Sequence, residues 1–443
     1  MYKKIFHSSL TILYIGMLAM FMVSARPFAG LNIFGFKLGE LIIGFCCIVS
    51  LLFLITPKKY FTNFFPDLVY LNLFKSFILC FILIAILSGS SFSNPYTFRS
   101  SSFIWTISII FFGSYFLNNK DLEKYYLLVF LPIPFVNYLF ATGYYPNFIM
   151  DFYIKYSDKF QFIKASDLFI TLIVINILYF KIKGTNLITL IYLVATTGIY
   201  FPLMLFNSRG AFISTFLYLF LQIYFSRSFF KNNIKQFFYI IVLLLIFSLI
   251  STLYIGNSFE LVQVAPEPEV ISEAVEGIAK NKIPTREVLG FYICENRLCS
   301  KDNTLDWRLD IWGDLVNDMS SKNLIFKGYG FNEIFPVMLD PSAPGRIGRD
   351  GLNENVHNYF VNIFGRLGFI GLAISVAFYY RLIKSYYQKN KSLYVLVLLL
   401  PVFFNSFFDA NMEGVQYPFI FFSFLGYIYF NNLNKGKLKS KIL

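Results

Sequence analysis

Long apolar stretches alternate with short polar ones along most of the chain. Stretches approaching the roughly 20 residues needed to cross a bilayer lie near 5–24, 39–56, 68–88, 102–117, 125–142, 166–180, 186–206, 209–225, 236–255, 359–381, 392–409 and 415–431. The pattern predicts twelve transmembrane helices, of which 102–117 and 166–180 are short for a span. One interval breaks the rhythm. Residues 256–355 form a polar loop between the ninth and tenth stretches, dividing the chain into spans one to nine (1–255), the loop (256–355) and spans ten to twelve (356–443). No internal repeat is visible.

Inside the loop, "VAPEPEVISEAVEGIAKNKIP" begins with proline punctuation and then reads as a short acidic helix. "NTLDWRLDIWGDLVNDM" reads as a stronger one, with Asn303 or Thr304 as its cap and Leu305, Leu309, Trp312 and Val316 recurring as an apolar stripe. "KGYGFNEIF" supplies a glycine-bounded turn, and "DPSAPGRIGRDGLNEN" a flexible connection back to the membrane.

Composition agrees with a membrane protein. Of 443 residues, 57% are hydrophobic and only 14% charged, with mean hydropathy +0.60, outside the range of soluble domains. The formal net charge of +13 does not point to nucleic acid, because the basic residues fall in short clusters between apolar stretches. Those clusters set orientation. With Lys3 and Lys4 inside, the same side receives Lys58/Lys59, Lys120/Lys124, Lys181/Lys183, Arg227/Lys231/Lys235, Arg381/Lys384/Lys389/Lys391 and the tail Lys435, Lys437, Lys439 and Lys441. Both termini are then cytoplasmic and the long loop is outside. Lys155, Lys159 and Lys164 break the pattern. The loop holds sixteen of the chain's twenty-five acidic residues and ten of its thirty-eight basic ones, so the polar chemistry concentrates on the outer side, away from nucleotide cofactors. No phosphate-binding glycine loop or dinucleotide fingerprint occurs in a strand-to-helix setting.

The N-terminal stretch imitates a secretory signal, with Val23-Ser24-Ala25 as a cleavage site, but its apolar core is long for one and reads as an uncleaved first helix. Cys46, Cys47 and Cys80 lie in spans and read as small hydrophobes. Cys294 and Cys299, in "CENRLC", are spaced for either a local disulfide or free thiols. No further Cys or His is near enough in sequence to suggest a metal site.

Three residues carry candidate chemistry. His357, one of two histidines, stands where the loop meets the tenth span; it is either a general base for a hydroxyl or an interfacial histidine bonded to backbone. On a helix running from 356, Val361, Phe364, Gly368 and Gly371 share its face, and Arg366 points the other way, a placement that suits a structural role. Arg209, in "FNSRGAF", is a fixed cation at the outer junction of spans seven and eight, suited either to an anionic headgroup or to anchoring. Arg308, in "DWRLDIW", offers a bidentate fork to phosphate or belongs to a salt-bridged helix with Asp306 and Asp310. Lys75, inside the third span, is expected to snorkel and is assigned no chemistry.

The "SRG" turn at 208–210, the "R-x-x-x-W" of Arg308 to Trp312 followed by "KGYG" at 327–330, and "HNYFVNIFGRLGFIGL" from 357 together resemble the O-antigen ligase and O-antigen polymerase superfamily. The resemblance covers roughly residues 190 to 375; the first half of the chain matches only in hydropathy. It implies an all-α polytopic architecture of the GT-C type in the bacterial inner membrane, with its active site facing the periplasm. It further implies a glycan donor carried on a polyprenyl (undecaprenyl) diphosphate, and no cofactor. Arg209 and Arg308 match arginines thought to hold the diphosphate, and His357 matches the histidine proposed to assist the acceptor hydroxyl; Asn358, Arg366, Gly328 and Gly330 are accessory candidates from the same motifs. The expected reaction is a metal-independent, inverting transfer. The acceptor is either the lipid A core, as in a lipopolysaccharide ligase, which we favour slightly, or a second lipid-linked repeat unit, as in an O-antigen or exopolysaccharide polymerase. Polysaccharide-assembly proteins would be natural partners. A lipid-linked oligosaccharide flippase would share the hydropathy, but it would ordinarily show repeated halves and polar or broken helices near the midplane.

Overall fold

The computed structural model describes residues 2–57, 68–119, 122–159, 163–231, 233–258, 290–294, 297–343, 346 and 354–430. The apolar segments are helical, since apolar surroundings leave backbone N–H and C=O groups no partners but each other. From the N-terminus come α1 (Tyr2–Ala29), a small hairpin of β1 (Asn32–Ile33) and β2 (Phe36–Lys37), α2 (Leu38–Ile55), α3 (Leu68–Leu87) and α4 (Pro95–Ser100). The fourth apolar stretch is α5 (Ser102–Trp105) and α6 (Ile109–Leu117) joined by one 3₁₀ turn, and the fifth is α7 (Glu123–Phe130) and α8 (Ile133–Ala141), broken at Pro132. There follow α9 (Asn147–Tyr156), α10 (Ala165–Lys183), α11 (Leu187–Asn207), α12 (Arg209–Phe225), α13 (Arg227–Lys231) and α14 (Ile234–Ser258). The polar interval contributes a hairpin of β3 (Phe291–Cys294) and β4 (Arg297–Ser300) and one helix, α15 (Asn303–Ser321). The chain then returns through α16 (Tyr359–Asn390), α17 (Leu396–Ser406) and α18 (Gln416–Phe430).

Each of the twelve apolar stretches is therefore helical. Among the described residues seven helices are long and apolar enough to cross a membrane, and the segments 102–117, 125–141, 209–225 and 396–406 are shorter apolar helices. The chain is an all-α polytopic membrane protein. Its centre is α10 and α18, both buried along nearly their whole length. α18 crosses α6 closely: a Cβ at Gly426 would strike the backbone of Ile110, and one at Gly113 the backbone of Ser423, so small residues set this contact. Buried polar side chains bond between helices, as Tyr14 does to Ser423 at 2.5 Å and Asn137 to the Met22 carbonyl at 2.9 Å. At the rim, α14 exposes Phe238, Val242, Leu245, Leu249 and Leu253, the surface expected to face lipid.

Lys75 lies on α3 and donates to the carbonyl of Thr56 at 2.6 Å, at the end of α2, in the manner expected of a snorkelling lysine. The acidic helix expected over 263–283 lies outside the described residues, as do Lys58/Lys59, Lys120 and the C-terminal lysines. The cap of α15 is Asp302, not Asn303 or Thr304: its Oδ1 accepts the Leu305 N–H at 2.9 Å. The buried stripe is also rotated from the expected one, running through Ile311, Leu315 and Met319 while Val316 is exposed. These residues pack on Phe335, Met338 and Val356 in a small core of their own above the bundle. The connection expected to be flexible is pinned at Arg346, 4% exposed, which pairs with Asp310 at 2.6 Å and with Asp314, and bonds the Val337 carbonyl at 3.0 Å. Cys294 and Cys299 form a disulfide across the β3–β4 hairpin, Cα to Cα 5.9 Å.

Candidate active site

One end of the bundle gathers the C-terminal end of α11, the N-terminal ends of α12, α10 and α16, the 407–415 connection and the start of α15. Ser208 ends α11 and caps α12, its side chain accepting the Ala211 N–H at 3.3 Å. This sharp turn presents Arg209 with 61% of its side chain exposed, ion-paired to Asp302 Oδ2. The next residue must be small, because a Cβ at Gly210 would lie 2.9 Å from the Cβ of Phe408. The turn and the segment carrying Asp409 are thereby pressed together, and Ser166 of α10 donates a hydrogen bond to Asp409 from the other side.

Arg308 projects from α15 just beyond Asp302. Its Nε is buried with no hydrogen-bond partner. Burial lowers its guanidinium pKa while Asp409 and Asp302 oppose the shift, and an arginine remains charged throughout. A buried guanidinium N–H without a partner is a group whose desolvation a bound anion could offset.

His357 is not on α16 but one residue before its cap. It has φ +54°, an uncommon backbone state for a residue with a side chain, and its neighbours hold it there. Trp312 Nε1 donates to the Val356 carbonyl at 2.7 Å, and Asn358 Oδ1 accepts from the Phe360 and Val361 N–H groups at 2.9 and 3.1 Å. The imidazole is half-buried and tilted against Trp307, ring centres 5.0 Å apart. Burial, then the charges of Arg308, Lys164 and Arg26, push its pKa down to about 4, with Asp409 pulling the other way. At neutral pH it is therefore an uncharged base.

Arg209, Arg308 and His357 thus meet around Asp302 and Asp409. Arg366 belongs elsewhere: 1% exposed, it donates to the carbonyls of Glu333 at 2.5 Å and Gly330 at 3.2 Å, and lies 4.1 Å from the Phe335 ring centre. The expected common face of α16 is interrupted, because Gly368 (φ +65°) breaks the helix. The carbonyls of Gly365 and Arg366, which a regular helix would bond internally, accept instead from the N–H groups of Tyr329 and Gly330 at 2.8 and 2.9 Å, and Phe369 N–H turns to Ile325 O at 2.8 Å. Gly328 and Gly330, both at positive φ, allow this fit; a Cβ at 328 would strike the Arg366 carbonyl and one at 330 would lie 2.6 Å from Ser90 Oγ. "KGYG" is thus a splint on a broken helix.

The sequence reading did not find Asp302, Asp409, Lys164 or Arg26. Asp302 was legible as a capping residue one place too early. Asp409 is the last residue of the 392–409 apolar stretch, with no motif to mark it. Among the described residues, no group of three or more His, Cys, Asp or Glu could hold a metal ion.

The fold and the site thus define a many-helix membrane protein with two arginines and a neutral histidine converging at a helix entrance. Residues 192–376, from α11 through the broken part of α16, match the family described as O-antigen ligase, a match that supports the resemblance to the O-antigen ligase and polymerase superfamily. Members of that family are glycosyltransferase-like enzymes. No curated protein matches the chain significantly.

Proposed function

We propose that the chain is a glycosyltransferase that moves a glycan from a polyprenyl (undecaprenyl) diphosphate donor to an acceptor hydroxyl at the periplasmic face of the inner membrane. The observation that carries this reading is the convergence of Arg209, Arg308 and His357 at the foot of α16.

The acceptor hydroxyl attacks the anomeric carbon from the face opposite the diphosphate, so configuration inverts. The new C–O bond forms as the bond to the diphosphate breaks, and that electron pair leaves on the diphosphate oxygen. His357, neutral in the free protein, takes the hydroxyl proton and releases it once the product has gone. Arg209 and Arg308 hold the departing diphosphate, whose charge rises as the bond breaks; fixed guanidinium forks are the protein's means of stabilising it without a metal. Donor binding also strengthens the base, since the diphosphate offsets the Arg308 charge that depresses His357. Arg209 must first exchange Asp302 for the phosphate, which its exposure makes inexpensive.

We favour ligase-type transfer to the lipid A core over repeat-unit polymerisation, and one experiment separates them. The purified protein in nanodiscs is given a polyprenyl-diphosphate-linked repeat unit alone, and glycolipids are resolved by gel. A ladder absent from His357→Ala establishes a polymerase. A product only after lipid A core is added, again dependent on His357, establishes a ligase. Neither product with either acceptor sinks the reading.

A further inference from the structure

Lys159 and Lys164 depart from the charge rule that orients the rest of the chain, and the fold gathers them with other cations. Lys37 caps α2 and pairs with Asp158. The 157–159 turn lies on the start of the β1–β2 hairpin: Leu31 bridges Ser157, and a Cβ at Gly30 would lie 2.9 Å from Lys159 Cβ. Arg99 of α4 reaches Glu354 Oε1 at 3.1 Å, three residues before His357. Desolvation by the surrounding protein, then the charges of Arg99, Lys37 and Arg26, hold the Lys159 ammonium below the ordinary lysine value, with Asp158 opposing them. Arg26 and Lys164 are also within reach of His357.

Carboxylates face this group on two sides, Glu413 among them opposite Arg26. Asp167 and Asp409 face Arg26 and Lys164 on the buried side. Outward, Lys37 pairs with Asp158 and Arg99 with Glu354, Glu40 accepts the Lys37 backbone N–H at 3.1 Å, and among the described residues the Lys159 ammonium has no carboxylate within ion-pair distance. Both outward pairs are partly exposed, with Arg99 57% accessible, so an entering anion can exchange them. The segments involved, 26–37, 95–100 and 157–164, carry neither Arg209 nor Arg308.

We propose that Lys37, Arg99 and Lys159, backed by Arg26 and Lys164, form a second anion site beside His357 that takes the phosphate or diphosphate of the acceptor glycolipid. The inference rests on the transferase reading, since it gives the donor's diphosphate to Arg209 and Arg308 and leaves these cations for the other substrate. A cluster of several cations suits a multiply charged phosphate better than the single charge of a phospholipid diester.

The test counts ligands without requiring turnover. Full-length protein in phosphatidylcholine nanodiscs is titrated with polyprenyl diphosphate lacking a glycan, whose diphosphate stands in for the phosphates of either acceptor, and bound lipid is counted by native mass spectrometry. We expect two per chain. The Arg99→Gln/Lys159→Gln double variant should weaken one of them about tenfold and leave the other unchanged; Arg209→Gln/Arg308→Gln should do the reverse. A single bound lipid in the wild type, or two undiminished in Arg99→Gln/Lys159→Gln, overturns the site. Replacing phosphatidylcholine by phosphatidylglycerol distinguishes the source: if that lipid at equal mole fraction displaces the second polyprenyl diphosphate, the cluster is a headgroup anchor and the proposal falls. Two bound lipids without glycan transfer would overturn the transferase reading alone, and transfer with one bound lipid would overturn this site alone.

Discussion

Asp302 serves two helices at once: one carboxylate oxygen caps α15 and the other holds Arg209 at the start of α12. In the free protein an internal carboxylate therefore occupies one of the two guanidinium groups proposed for the donor. Asp302→Asn keeps a capping oxygen and removes the competing charge. We expect the donor KM to fall about two- to fivefold, in line with an exposed ion pair, with the fold intact. A raised KM would mean that Asp302 aligns Arg209 and does not compete for it.

Arg308, proposed to clamp the leaving group, has a buried Nε with no hydrogen-bond partner. Arg308→Ala should reduce kcat by about 10²–10³, the usual effect of deleting a donor to developing charge. Arg308→Lys keeps the charge without the fork and should recover only part of the loss. Wild-type turnover by Arg308→Ala in single-turnover kinetics would return the residue to a structural role.

The depressed histidine makes a signed prediction about pH. In the free protein His357 titrates at about 4, so kcat/KM for the donor should stay level through neutrality and fall only near that value. In the complex the diphosphate raises its proton affinity, so the acid limb of kcat should lie at higher pH than that of kcat/KM. Because the folded value lies below the ordinary value near 6.5, the unfolded chain binds more protons between the two. The contribution of this group to stability therefore rises with pH across that window and is constant above it. Coincident acid limbs for kcat and kcat/KM would count against the role of the diphosphate.

Trp312 holds the backbone next to His357 through the Val356 carbonyl. Trp312→Phe keeps most of the packing but leaves that carbonyl without its donor, which should lower kcat about tenfold with KM for both substrates little changed. Equal loss in Trp312→Phe and in the amount of protein in the membrane would show general destabilisation instead.

Gly368→Ala places a side chain at φ +65° against the backbone of Phe326 and Lys327. We expect a loss of about 1–3 kcal/mol or more, read as a lower unfolding temperature in detergent. Gly44→Ala, whose Cβ would have nothing within 4 Å, is the matched control and should be neutral or slightly stabilising.

The apolar stretches were legible because lipid leaves the backbone few options, and all twelve are helical here. The break at Gly368 was not, since a glycine inside an apolar run reads equally as close packing or as a bend, and only the N–H groups of Tyr329 and Gly330 decide between them. The position of His357 was misread for the same reason: Asn358, two residues before Phe360, is the cap, and periodicity cannot locate a helix start to one residue. The stripe on α15 was rotated because Ile311, Leu315 and Met319 turn toward a small core built by segments distant in sequence. Arg209 and Arg308 stood out through their motifs. Asp409, Lys164 and Arg26 reach the same place from three separate connections, a relationship that exists only once the helices are packed.

The splint on α16 also bears on how such proteins could be recombined. The carbonyls freed at Gly365 and Arg366 belong to one side of the hydropathy boundary and the N–H groups that meet them to the other, so exchanging the outer interval alone between two homologous chains would join mismatched halves. A functional chimera would need its downstream seam past Gly371, carrying the half-helix, the glycine turn and the histidine as one inherited block.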